Sequence, residues 1–207
     1  VMSPRPAPAL FYPIVPDIHW LKRLVPLSIR TVQLRIKNMR PESVRQQVGE
    51  ALAVCRDHRC DLVVNDHWQA AIEAGARFVH LGQEDLVSAD LAAIRSAGIQ
   101  IGISTHNEAE LESALAAGPY YVALGPIYET KLKAMPWAPQ GLDKITTWKK
   151  RIGSMPLVAI GGLTPDRAAS VHAAGADSLA VITDFMTAPH PEARVSLWLD
   201  WARNVHP

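Results

Sequence analysis

The chain repeats one pattern: a short apolar run that reads as a strand, then a longer stretch that reads as a helix. Eight runs qualify as strands, at residues 10–15, 30–36, 61–64, 78–81, 100–104, 120–124, 157–160 and 178–182, each framed by turn-forming residues. Helical stretches follow at 18–27, 41–58, 67–74, 88–97, 107–117, 143–152, 165–174 and 191–205. Several close on Ala-Gly, as at Ala74-Gly75, Ala97-Gly98, Ala117-Gly118 and Ala174-Gly175, with a strand two or three residues on. Glycine stops a helix because it accepts the left-handed conformation, and the loop to the next strand is then of ordinary length. Asn107 ahead of Glu108 and Glu110, and Thr164 ahead of Pro165, mark helix starts. Eight βα units in 207 residues predict a (β/α)8 TIM barrel. The expected organisation is a disordered leading segment or expression remnant at 1–9 and one domain over 10–207. An open doubly wound sheet is disfavoured, since no Gly-x-Gly-x-x-Gly opens the first helix.

In the second strand the alternation changes meaning. Gln33, Arg35 and Lys37 point one way, Leu34 and Ile36 the other. On an open sheet the polar face would be solvated. In a closed barrel Leu34 and Ile36 pack under helices, and the two cations stand at the inner rim. There they are costly unless an anion lies between them, and a substrate diphosphate is the expected anion.

Composition narrows the choice of partner. A formal charge of +1 makes no case for nucleic acid or an anionic membrane, so anion binding has to come from local placement of charge. No apolar run reaches membrane-spanning length. Cys55 and Cys60 form no disulfide framework and lack the neighbours of an activated nucleophile, which suits a reducing, cytoplasmic setting. An exposed helix face leaves room for a homodimer.

Barrel chemistry sits where strands end. Strand 3 ends in Asn65-Asp66, strand 4 runs into Gly82-Gln83-Glu84-Asp85, and strand 5 ends in Ser104-Thr105-His106. Strand 6 opens a long loop, 127–142, carrying Thr130, Lys131, Lys133 and Trp137; strand 7 ends in Gly161-Gly162 and strand 8 in Ile182-Thr183. Asp66 and Asp85 repel if close, and Mg²⁺, which favours few carboxylates together with water and phosphate oxygens, removes the conflict. Asp66 could equally cap the helix after it. Arg35, Lys37 and Lys133 would surround the rest of the diphosphate. Backbone N–H groups at Gly161-Gly162 and Ile182-Thr183 suit a second phosphate, and a plain tight turn is the competing reading for Gly-Gly. The loop reads as a cover over the site, with Trp137 needing a partner. Five histidines, His19, His58, His172, His190 and His206, are expected to be exposed; His80 is expected to be a satisfied core residue, and His106 lies near the rim.

Taken together, Gln33-Leu34-Arg35-Ile36-Lys37, Asn65-Asp66, His80 through Asp85, Gly102 through His106, Gly125 through Thr130, Val158 through Gly162 and Gly175-Ala176-Asp177 resemble the thiamine phosphate synthase family over nearly the whole chain. That family joins a hydroxymethylpyrimidine diphosphate to a thiazole phosphate and releases pyrophosphate. The resemblance implies that Gln33, Arg35, Lys37 and Asn65 bind the pyrimidine diphosphate and that Asp66 and Asp85 carry Mg²⁺. It implies that Ser104 meets the pyrimidine or the leaving group and Lys133 the pyrophosphate. Thr130, Gly162, Ile182 and Thr183 would hold the thiazole phosphate. Arg35, Lys37, Lys133 and Ser104 would thus carry catalysis, with no protein nucleophile. Two positions depart from the family pattern: Leu132 replaces a threonine of its Thr-x-Thr-Lys loop, and Asp184 stands beside the expected phosphate site. The alternatives are a thiazole tautomerase-like paralogue and a non-catalytic thiamine phosphate binder of the same fold.

Overall fold

The computed structural model describes residues 6–130 and 137–206. Strands β1 (Phe11–Val15), β2 (Thr31–Leu34), β3 (Asp61–Asn65), β4 (Phe78–Leu81), β5 (Gln100–Thr105), β6 (Tyr121–Leu124), β7 (Leu157–Ile160) and β8 (Ser178–Val181) pair in parallel in chain order. β8 closes onto β1 in the register Phe11↔Leu179, completing the barrel. Around it lie α1 (Ile18–Leu24), α2 (Pro41–Asp57), α3 (Trp68–Ala74), α4 (Gln83–Ser88), α5 (Leu91–Ser96), α6 (Glu108–Ala116), α7 (Gly141–Ile152), α8 (Pro165–Ala173), α9 (Thr183–Met186) and α10 (Pro191–Val205).

The alternation in β2 has the consequence expected of it. Val32, Leu34 and Ile36 are buried under the helices, while Gln33 is buried inside the barrel. The strand is shorter than 30–36, yet Arg35 still donates to Val15 O (2.9 Å), so pairing with β1 runs on to the rim. Two apolar layers result: a large one between strands and helices, and a small interior one including Tyr12, Val63, Phe78, Tyr121 and Val158.

Three elements differ from the expectation, each for a local reason. The 18–27 helix ends at Leu24 and tightens into a 3₁₀ turn, Val25–Leu27, because Pro26 has no N–H to donate. The 88–97 helix starts only at Leu91, and a separate short helix, α4, precedes it. Ala89 is extended (ψ 145°) and Asp90 caps α5 by accepting from Ala93 N (2.9 Å). Gln83-Glu84-Asp85 is consequently the first turn of α4, where acidic side chains suit the helix dipole. Strand 8 leads directly into the short α9. Asn107 caps α6 as its spacing suggested, accepting from Glu110 N (2.9 Å).

Of the leading segment 1–9, residues 1–5 lie outside the described residues. Ala9 is fixed to the barrel: its N–H donates to Thr31 Oγ1 (2.9 Å) and its carbonyl accepts from Ser178 Oγ (2.6 Å), so ordered chain begins before residue 10. Cys55 and Cys60 are buried free thiols. Among the described residues no helix is long and apolar enough to cross a membrane.

Candidate active site

The C-terminal strand ends open into two adjoining cavities, of about 490 and 270 Å³. Arg35, Ser104 and His106 line both. Ile182 borders both as well; the smaller lobe adds Gln33, Lys37, Asn65, Asp66 and Asp85, and the larger adds Thr130, Gly161, Gly162 and Thr183. All the candidate residues within the described chain therefore meet at one mouth. Lys133 lies outside the described residues, as do Lys131 and Leu132.

The smaller lobe is organised by charge. Asp66 adopts a left-handed backbone (φ 63°), a conformation that Asp tolerates better than most residues. It does not cap the following helix, whose N-cap, His67, makes no capping side-chain bond either; instead the Asp66 carboxylate pairs with Lys37. Burial raises its pKa most strongly, but the Lys37 hydrogen bond and charge, with a hydrogen bond from Asp85, outweigh burial and hold it below the usual range. Asp85 moves the opposite way: burial, then the Asp66 charge, push its carboxyl up. The two acids thus sense each other's charge directly, and a cation between them would relieve the repulsion.

Two groups in this lobe lack partners of their own. Arg35 has no carboxylate partner among the described residues, although it stands at the junction of the lobes. Asn65 is 5% exposed, and its carboxamide bonds to none of the described residues. A guanidinium and an amide left in this state in a cavity are set for a ligand.

The larger lobe is shaped by close backbone approach. A Cβ on Gly162 (φ 66°) would stand 2.7 Å from Glu129 O, and one on Gly161 (φ 105°) 2.6 Å from Pro126 Cα. Both positions need glycine on grounds of space and of conformation. Arg167 donates to Gly162 O (2.6 Å) and lies over the Tyr128 ring (4.2 Å), tying this turn to the loop that bears Thr130. Gln140 closes the base of that loop by donating to His106 O (2.8 Å), and Trp137 finds its partner by stacking on His106 (4.7 Å, 11°). Asp184 proves harmless to an anion. Asp184 lines the larger lobe, but its carboxylate is buried and accepts two hydrogen bonds from Arg194 (2.9 Å each) and one from Trp198 Nε1 (2.8 Å), so α10 engages its charge.

Beneath both lobes runs a polar thread that the strand-end survey missed. Gln33, Tyr12, Tyr121, His80 and Ser104 are linked in that order across the barrel interior. The signal was available: each is the inward residue of its strand. His80 is a satisfied core residue as expected, with both ring nitrogens engaged. Burial depresses its pKa to about 4. A base depressed in the folded state stays neutral there while its unfolded counterpart, near 6.5, takes a proton. Stability from this group is complete above about pH 6.5 and falls as pH drops towards 4, by about 3 kcal/mol in all. In metal-free buffer, denaturant titrations from pH 7 to 4 should show the wild-type protein losing that much more stability than His80→Asn; parallel curves would remove His80 as the cause.

The description "Thiamine monophosphate synthase" belongs to the family model that matches residues 12–185. The thiamine-phosphate synthase of Rhizobium etli is 56% identical over 190 residues, covering 91% of this chain and 93% of that protein. That of Neisseria meningitidis serogroup A is 45% identical over 199 residues, 94% and 97% of the two chains. In fold, a thiamine phosphate pyrophosphorylase structure from Pyrococcus furiosus superposes with a TM-score of 0.83 at 23% identity, covering 97% of this chain and 98% of that one.

Proposed function

Because this chain belongs to the thiamine monophosphate synthase family, we propose that its cavity condenses hydroxymethylpyrimidine diphosphate with thiazole phosphate. The products are thiamine monophosphate and pyrophosphate. The protein is a thiamine-phosphate synthase, a transferase of thiamine biosynthesis.

The carrying observation is the Arg35 guanidinium, unpaired among the described residues, set between an acidic pair and a glycine turn. In this reading Arg35, Lys37 and Asn65 bind the diphosphate in the smaller lobe, with Gln33 beneath; Lys133, outside the described residues, is assigned to the same diphosphate. Thr130, Gly162, Ile182 and Thr183 hold the thiazole phosphate in the larger lobe. The pyrimidine carbon parts from the diphosphate oxygen with the bonding electron pair leaving on oxygen. The amino-pyrimidine delocalises the resulting cation, and the thiazole nitrogen lone pair captures it. The chain supplies leaving-group stabilisation and alignment. That demand explains a site with cations and no nucleophile; both cysteines are buried outside it.

Asp66 and Asp85 suit a Mg²⁺ ion by their mutual repulsion and opposed pKa shifts. No cluster of three or more His, Cys, Asp or Glu among the described residues could hold a metal alone. Diphosphate and water oxygens would complete the shell, as this ion prefers. Bound there, Mg²⁺ would neutralise charge building on the leaving group. Asp85→Asn should raise the Mg²⁺ concentration for half-maximal rate about ten-fold, with little change at saturation; an unaltered metal titration would take Asp85 out of the site. The two buried free thiols accord with a reducing, cytoplasmic setting.

The deciding experiment measures pyrophosphate release with both substrates and Mg²⁺, omitting each in turn. Dependence on all three supports the synthase. Release without thiazole phosphate would mean a diphosphatase, and tight product binding without release would mean a binder.

A further inference from the structure

We propose that Gln33, Tyr12, Tyr121 and His80 form a one-way hydrogen-bond chain that fixes the Ser104 hydroxyl as a donor to the departing diphosphate oxygen. The inference rests on the synthase reading and adds positioning residues to it.

The direction follows from counting protons. Gln33 Nε2 lies 2.9 Å from Tyr12 Oη, and an amide nitrogen can only donate. Tyr12 Oη therefore accepts there and must spend its single proton elsewhere. Among the described residues its one remaining partner is Tyr121 Oη, at 2.9 Å. Tyr121 in turn donates to His80 Nδ1 (2.8 Å), which leaves the imidazole neutral with its proton on Nε2. That proton points to Ser104 Oγ at 2.7 Å. Run backwards, the chain would bring two donors to Tyr12 Oη and leave its own buried proton without an acceptor, a costly defect.

Ser104 thus accepts from beneath, and its own O–H is free for the cavity, where the side chain lines both lobes. A donor held at the junction of the lobes counts most where negative charge develops. When the carbon–oxygen bond breaks, the electron pair collects on the diphosphate oxygen, and the Ser104 hydrogen bond strengthens without any proton being transferred. Reversing the chain would present a lone pair to that oxygen and repel it. Packing holds the chain in place: the Tyr12 and Tyr121 rings meet edge to face (6.1 Å, 88°), and His80 stacks on Tyr121 (5.7 Å, 23°).

Two measurements test this, and only one needs substrate. In the free wild-type protein, ¹⁵N NMR of the imidazole should show His80 as the neutral Nε2–H tautomer; a proton resting on Nδ1 would overturn the proposal. Tyr121→Phe keeps the ring and removes the donor to Nδ1. It should mix the tautomers and lower kcat about ten- to a hundred-fold, with KM for the pyrimidine diphosphate moved less than about three-fold. An unchanged kcat, or a loss confined to KM, would overturn it. If Tyr121→Phe fails to fold, Tyr12→Phe breaks the chain one link earlier and carries the same two expectations. A wild-type protein that releases no pyrophosphate would defeat the synthase reading alone, because the tautomer is read without substrate.

Discussion

Arg35→Ala is expected to lower kcat for pyrophosphate release about a thousand-fold, close to 4 kcal/mol of transition-state stabilisation. The fold should be unaffected. Arg35 has no carboxylate partner among the described residues, so its removal leaves no buried acid without a counter-charge. It also stands where the two lobes meet, within reach of charge that appears only as the bond breaks. The loss should therefore fall on kcat more than on KM. Steady-state rates at saturating substrates and Mg²⁺, with a melting curve alongside, check both halves. A loss under ten-fold with an intact fold would put the leaving-group charge elsewhere.

Gly102→Ala should be the most damaging small substitution to stability. The added Cβ would fall 2.1 Å from Tyr121 Cζ and within 2.5 Å of two further ring atoms. That ring occupies the volume where a side chain at 102 would be, because β5 and β6 set Gly102 opposite Tyr121 in register. It has nowhere to retreat, being wedged between Tyr12 and His80. Overpacking of this kind costs about 3 kcal/mol, a fall of about 6–12 °C in Tm for a chain of this size. Because Tyr121 would shift, turnover should fall too. Calorimetry on the purified variant decides the matter: a Tm within about 2 °C of wild type would mean that the interior is looser than its geometry implies.

Much of this was legible in the chain. Val32, Leu34 and Ile36 against Gln33 and Arg35 reported a strand with one face under helices and the other inside a barrel. The glycine stops reported where the strands would begin, and successive strand ends reported one rim. What stayed hidden depends on contacts between distant residues. Nothing local in Gly102 tells that Tyr121 fills its space, and nothing in Asp184 tells that Arg194 and Trp198 engage its charge. The choice for Asp66 between capping a helix and meeting a cation likewise waited for Lys37, brought alongside by the pairing of β2 with β3. The helix α4, ahead of the expected 88–97, was missed for another reason. The acidic first turn of α4 looks like a solvated loop until Ala89 is seen to break the chain and Asp90 to restart it.

The grip of Arg194 on Asp184 ties inheritance at the start of α10 to chemistry in the barrel mouth. A neutral residue at 194 would uncover a negative group beside the cradle for the thiazole's own phosphate, and the damage would register as a failing enzyme before it registered as a failing fold. Positions 184 and 194 are therefore expected to drift together across descendants of this chain, changing as a pair or not at all.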